Sequence, residues 1–235
     1  NKSGAGAYAD IQMQLDAYIG QIVDAIDQAG IGDNTILILT GDNAAGEHSA
    51  GWGGEGGSNG PWRGGLSTGY EGGTRTPGMI RWPGKIRAEQ VSDEIFSDLD
   101  WYPTIAAMIN ESGRIPTDRP IDGIDQSNFL LGKQANSNRE YIVTYVGDQV
   151  FSVKWRTMKV HFLTAEGTFS PIVQHTFPQV YDIKNDPGET RELWQSEGYA
   201  HLWVTKPVMD ILKDIAESQK KYPNINPGQD FSGYQ

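Results

Sequence analysis

The stretch that most constrains this chain runs from Thr35 to Gly78. Thr35-Ile36-Leu37-Ile38-Leu39-Thr40 is a short apolar run rich in β-branched residues, which predicts a strand buried on both faces. Burial on both faces is the habit of parallel strands in α/β sheets. Asp42 and Asn43 follow at once, at the carboxyl end of that strand, where open α/β sheets bind ligands and metals. Fourteen of the 29 glycines then fall between Gly41 and Gly78, so this strand opens into a long loop of tight turns.

Upstream, residues 8–29 are predicted to form an amphipathic helix, with Leu15, Ile19, Ile22 and Ile26 as its buried stripe. Gly30 and Gly32 stop it, and Asp33-Asn34 turn the chain into the strand. Helix, short loop and buried strand make one unit of a doubly wound sheet. Downstream, Pro77 to Trp82 predicts a second strand, and Ile95 to Asn110 a helix capped by Asp98 or Asp100, with Pro103 in its first turn. Residues 111–138 read as surface loop.

The texture changes near Arg139. Tyr141–Val146 and Val150–Val153, separated by Gly147-Asp148, predict a hairpin; Trp155–Leu163 and Gln179–Ile183 predict two further strands. Lys206 to Lys221 predicts a final helix. The expected division is residues 1–138 as the C-terminal portion of an α/β domain and 139–235 as a small antiparallel α+β subdomain.

Composition excludes several classes. A net charge of −11 argues against nucleic acid, which needs a basic footprint. The same charge repels sulfated polymers at long range, so any anion site has to be local. No apolar run approaches membrane length, so no membrane partner is expected. With no cysteine, disulfides and thiolate metal sites are excluded, and the redox compartment stays open.

Several motifs in order carry a resemblance. Thr40-Gly41-Asp42-Asn43, Arg63-Gly64-Gly65, Tyr70-Glu71-Gly72-Gly73-Thr74-Arg75-Thr76-Pro77-Gly78, Arg81-Trp82-Pro83-Gly84-Lys85 and Val180-Tyr181-Asp182-Ile183-Lys184-Asn185-Asp186-Pro187-Gly188-Glu189 together resemble the C-terminal half of the formylglycine-dependent, arylsulfatase-type sulfatases. The resemblance covers nearly the whole chain. It implies the C-terminal part of an alkaline phosphatase-like α/β/α sheet, followed by the antiparallel subdomain. It implies hydrolysis of a sulfate ester in the complete enzyme, and a periplasmic or secreted location.

It also implies site residues. Asp42 and Asn43 match the family's Ca²⁺ ligands, and their hard oxygens suit that ion. By residue type alone, Asp-Asn after a strand also makes a turn. The amide at Asn43 favours one Ca²⁺ over the two transition metals of related phosphodiesterases and phosphatases. Leu66 stands where the family's lysine contacts the sulfate, and the loss of such a donor costs about 3–4 kcal/mol in transition-state stabilisation. His48, five residues after Asn43, is the candidate to bind substrate in its place, or else a solvated loop histidine. Arg63 matches a largely structural arginine, and Glu71 with Arg75 reads as a scaffold ion pair. Trp52 and Trp62 either stack on substrate or anchor the loop. His161, His175 and His201 lack metal-ligand spacing and read as structural.

No Cys/Ser-x-Pro-x-Arg motif, the source of the formylglycine nucleophile, occurs in the chain. The catalytic nucleophile and the first pair of metal-binding aspartates are therefore expected upstream of Asn1. That predicts a fragment holding half a Ca²⁺ site, inactive alone, whose partners are the missing N-terminal half or another copy of the chain. The alternative is a non-catalytic interaction or carbohydrate-binding module, which Leu66 favours.

Overall fold

The computed structural model describes residues 2–46, 57–230 and 233. Helix α1 spans Ala7–Gln28 and ends as the sequence predicts. Gly30 adopts φ 68°, its N–H reaches the Asp27 carbonyl and that of Ile31 reaches Ile26. This left-handed residue closes the last turn, and glycine adopts it without a Cβ penalty. The strand β1, Leu37–Thr40, follows and pairs antiparallel with β2, Gly78–Arg81, in register Leu37↔Arg81 to Thr40↔Gly78.

Two expectations about this first part need revision. Among the described residues β1 has no parallel neighbour, and Leu37, Ile38 and Leu39 are half-buried rather than buried. The stripe on α1 also splits. Ile19 and Ile26 are half-buried, whereas Leu15 and Ile22 are 50% and 56% exposed, and Ile11 and Tyr18 continue the exposed side of the same face. The reason is the same in both cases: the described residues cover only one flank of the helix and one edge of the strand.

The short helix α2, Glu71–Thr74, sits in the loop between β1 and β2. A Cβ on Gly72 would press into the carbonyl oxygens of Gly64, Arg63 and Trp62, and its N–H donates to Arg63 O at 2.8 Å. Only glycine permits that approach. The predicted helix over 95–110 is shorter: a 3₁₀ turn at Asp98–Asp100 leads into α3, Trp101–Met108. Its cap is Ser97, whose hydroxyl takes the Leu99 N–H while Asp100 reaches back to the Ser97 N–H at 3.0 Å. That reciprocal pair satisfies donors a helix start leaves orphaned. Asn110, at φ 60°, ends α3 and leaves Ile109 exposed.

The 111–138 segment is loop apart from a 3₁₀ turn at Ser112–Arg114 and α4, Ser127–Leu130. It is fastened by charge. Arg139 grips Asp100 with two hydrogen bonds of 2.8 and 2.6 Å, both side chains buried, and also donates to Asp122 O.

The hairpin predicted around Gly147-Asp148 is β3, Tyr141–Val146, and β4, Gln149–Trp155. With β5, Met158–Thr164, and β6, Val173–Asp182, it forms a four-stranded antiparallel sheet in sequence order. α5, Leu193–Glu197, and α6, Thr205–Lys221, complete the chain. Alternation divides this sheet into two faces. Val153, Val160 and Val180 are cross-strand neighbours and build the core with Met158, Leu193, Val204 and Val208. Ser152, Lys154, Lys159 and His161 take the other face and turn toward the glycine-rich loop.

The exposed flank of α1 and the open edges of β1 and β2 make a sticky surface. Light scattering on the purified chain is expected to give a mass above 25.8 kDa. A stable monomer of that mass with cooperative unfolding would show that these residues suffice on their own.

Candidate functional site

Asp42 and Asn43 lie exposed just past the end of β1, as the sequence predicts. The Asn43 N–H donates to Asp42 Oδ1 at 2.8 Å, and the Asn43 amide N–H donates to Ala44 O at 2.9 Å. The amide nitrogen is thereby committed to the backbone, so the part of the Asn43 side chain that would meet a cation is its carbonyl oxygen. The donor type suits a hard cation. The donor number does not complete a site: among the described residues no group of three His, Cys, Asp or Glu converges to hold a metal.

The next residues join this segment to the loop that carries Leu66. The Asn59 side chain accepts the Ala45 N–H at 3.0 Å and donates to the carbonyls of Ala45 and Gly64. The Leu66 N–H donates to Ala45 O at 3.2 Å, and Leu66 O accepts from the Thr168 hydroxyl at 2.9 Å. Leu66 therefore bridges the Asp42-Asn43 segment and the β5–β6 loop through its backbone, with its side chain 38% exposed. His48 and Trp52 lie outside the described residues. Trp62 is half-buried, and the Arg75 guanidinium covers one of its faces at 4.4 Å, so it anchors the loop.

Behind Leu66 stands a buried network that the sequence only partly revealed. Glu71 does approach Arg75, at 3.6 Å, but its main partners are Lys154 Nζ at 2.7 Å and Lys159 Nζ at 2.9 Å. These lysines face each other across β4 and β5. Glu189, fully buried, accepts the Glu71 N–H at 2.7 Å and contacts His161 Nε2 at 2.6 Å. Arg63 donates to the Glu189 carbonyl at 3.0 Å and to Glu166 at 2.7 Å, and stacks over the Tyr70 ring. Tyr70 donates its hydroxyl to the same Glu166 oxygen at 2.7 Å.

Burial alone would raise the Glu71 carboxyl, but Lys159 and Lys154 outweigh it and hold its pKa at about 2. Burial lowers that of His161, against an opposing pull from Glu189. The ring is then neutral, Nε2–H donates to Glu189, and Nδ1 is a buried acceptor without a partner. His161 is thus structural, as read. His175 meets Thr164, and His201 meets Glu197. Some signal for the missed residues was present: Lys154 and Lys159 are the polar members of apolar–polar alternations in β4 and β5, and Glu189 ends the Asp186-Pro187-Gly188 turn.

A large open cleft of about 1530 Å³ runs along β2, α3 and the sheet, past Glu71, Arg75, Trp82 and Trp101. It includes neither Asp42 nor Leu66, so its size does not mark the chemistry.

Comparison with known proteins fits this geometry. The sulfatase family model matches residues 2–110, and the model for the C-terminal region of aryl-sulfatase matches 137–231. Steryl-sulfatase of Rattus norvegicus is 35% identical over 80% of this chain and 36% of its own length; human arylsulfatase A is 35% identical over 91% and 43%. The PsFucS1 sulfatase from Pseudoalteromonas sp. superposes with a TM-score of 0.82 at 28% identity, over 92% of this chain and 44% of that one. The fold is accordingly that of the C-terminal part of an alkaline phosphatase-like hydrolase. The chain belongs to the sulfatase family, and it spans about two fifths of the length of the relatives it matches.

Glu71→Gln is expected to lower unfolding stability by about 3–5 kcal/mol, because two lysines lose their shared counter-charge inside the protein. The network also sets an acid response. The folded pKa values of Glu71 and His161 both lie below their ordinary values of 4.5 and 6.5, so the unfolded chain binds more protons as pH falls. Stability should drop below about pH 6.5 through His161, and again from about 4.5 toward 2 through Glu71. Denaturant midpoints against pH, with His161→Gln losing the first limb only, would check this assignment.

Proposed function

We propose that this chain is the C-terminal part of a sulfuric ester hydrolase, and that it is inactive alone. The observation that supports it most is the joining of Asp42-Asn43 to Leu66 through Ala45, which sets candidate metal ligands beside the loop where the family contacts sulfate. Asp42 and Asn43 would hold part of a Ca²⁺ site, and the ion would supply positive charge to polarise the sulfate group. The remaining ligands and the formylglycine would come from an upstream segment of the same polypeptide. The same reading divides the chain at residues 138 and 139, and carries over the export expected of the family.

Leu66 offers no charge or hydrogen bond to a sulfate. His48 is our candidate to donate in its place. Leu66 also favours the second reading, a sulfatase-like binding module without catalysis. The two are separated by what the complete polypeptide does: the first requires it to hydrolyse a sulfate ester, the second that it never does.

The isolated chain should show no turnover of an aryl sulfate at saturating Ca²⁺, since it contains no Cys/Ser-x-Pro-x-Arg motif from which formylglycine forms. Activity above a buffer control that survives purification would overturn the fragment reading. Calorimetry should give Ca²⁺ binding weaker than about 10⁻³ M, the weak end of protein sites, because two residues supply few of the six to eight oxygens a tight site uses. Micromolar binding abolished by Asp42→Ala would mean that the chain already contains a complete site.

A further inference from the structure

Away from the loops just described, the four-stranded sheet carries a feature that neither its core nor its buried network uses. Where β5 advances from His161 to Leu163, the facing β6 spans Gln179 back to Gln174. The surplus residues leave the ladder as a bulge, and bulges re-aim side chains. Here the bulge lies on the edge strand of the sheet and holds Phe177 80% exposed.

The bulge is braced. The Pro178 carbonyl accepts the Trp194 indole N–H at 2.6 Å, which fixes that ring against it. The Glu192 carboxylate accepts the N–H groups of Val180, Trp194 and Gln195 at 2.9, 3.1 and 2.8 Å, so α5 and β6 are locked together. Between them is an open concavity of about 290 Å³, lined by His175, Phe177, Gln179, Glu192, Trp194 and Gln195.

We propose that this concavity binds one neutral pyranose unit of an oligosaccharide, with Phe177 and Trp194 against its C–H face and the exposed Gln195 amide hydrogen-bonded to its hydroxyls. A pyranose presents an apolar face and a rim of groups that both donate and accept. Aromatic rings offer the matching apolar surface, and amide side chains the matching donors and acceptors. The volume is that of a single small ligand. The charge excludes an anionic sugar: the lining holds a carboxylate and no lysine or arginine, on a chain of net charge −11. Because the bracing hydrogen bonds exist before binding, little ordering is required, but so small and open a concavity holds a single sugar only weakly, at about millimolar affinity.

This inference does not rest on the sulfatase reading, since it shares no residue with the Asp42–Leu66 region and needs no turnover. The polypeptide carrying this chain is titrated with cellotetraose, with β-1,4-galactotetraose, and with a sulfated form of each, while the Trp194 indole and Gln195 amide signals are followed by NMR. Shifts of these signals with at least one neutral tetrasaccharide, weakened about tenfold in Phe177→Ser, are expected. Gln195→Ala, at an exposed position, is the second variant and should also weaken binding. The site is overturned if neither neutral sugar moves these signals up to about 50 mM. It is equally overturned if the sulfated forms bind as tightly, or if folded Phe177→Ser and Gln195→Ala bind like the parent.

Discussion

The structure depends on one carboxylate shared by two lysines. Lys154 and Lys159 stand opposite each other across β4 and β5, an arrangement of like charges that a sheet ordinarily penalises. Glu71 gives one oxygen to each, at 2.7 and 2.9 Å. A buried pair of this kind is poor evidence of net stability, because desolvation offsets much of the attraction. Its effect is on specificity. The lysines belong to the sheet and the carboxylate to the glycine-rich loop, so the charges are satisfied only when that loop is seated. Glu189 adds a second tie by taking the Glu71 N–H and, through its carbonyl, the Arg63 guanidinium.

That seating reaches the candidate site by short steps. Gly72 lets α2 press against Arg63 and Gly64, and the strand of loop from Arg63 to Leu66 then lies between Ala45 and Thr168. The position of Leu66 is therefore set by backbone bonds on both sides. Asn59 clasps the residues just after Asp42-Asn43 in the same way. What remains open is the outer side of Asp42 and Asn43, together with the exposed flank of α1. Both are places where hydrogen-bonding or apolar surface stands exposed among the described residues.

How far the sequence revealed this follows from range. Period and turn chemistry are local, so α1, the hairpin at Gly147-Asp148 and α6 were all legible. So was the placement of Asp42-Asn43 at a strand end. The pairing of Glu71 with Arg75 was legible too, four residues apart. Its stronger bonds to Lys154 and Lys159 span 83 and 88 residues, and no local pattern carries that information. Alternation could say that the two lysines share a face of the sheet; it could not say that a loop carboxylate covers that face. The burial expected of β1 failed for the opposite reason. An apolar run reports what a strand requires, and among the described residues β1 is only half-covered.

The division between seating and chemistry explains how this chain keeps nearly every family motif and still departs at Leu66. Residue 66 is held by its own N–H and carbonyl, and neither bond involves the side chain. On the reading proposed above, leucine in place of the family's lysine leaves the scaffold untouched while it removes a charge from the loop. Glu71, Gly72 and Glu189 behave in the reverse manner: each is required by the fold and none is exposed to a substrate. Motifs of the second kind report that the loop is correctly built. Among the described residues, Asp42, Asn43 and residue 66 are those our reading gives a part in the chemistry, beside the candidate His48, so the strength of the family resemblance and the competence of the site are separate quantities in this protein.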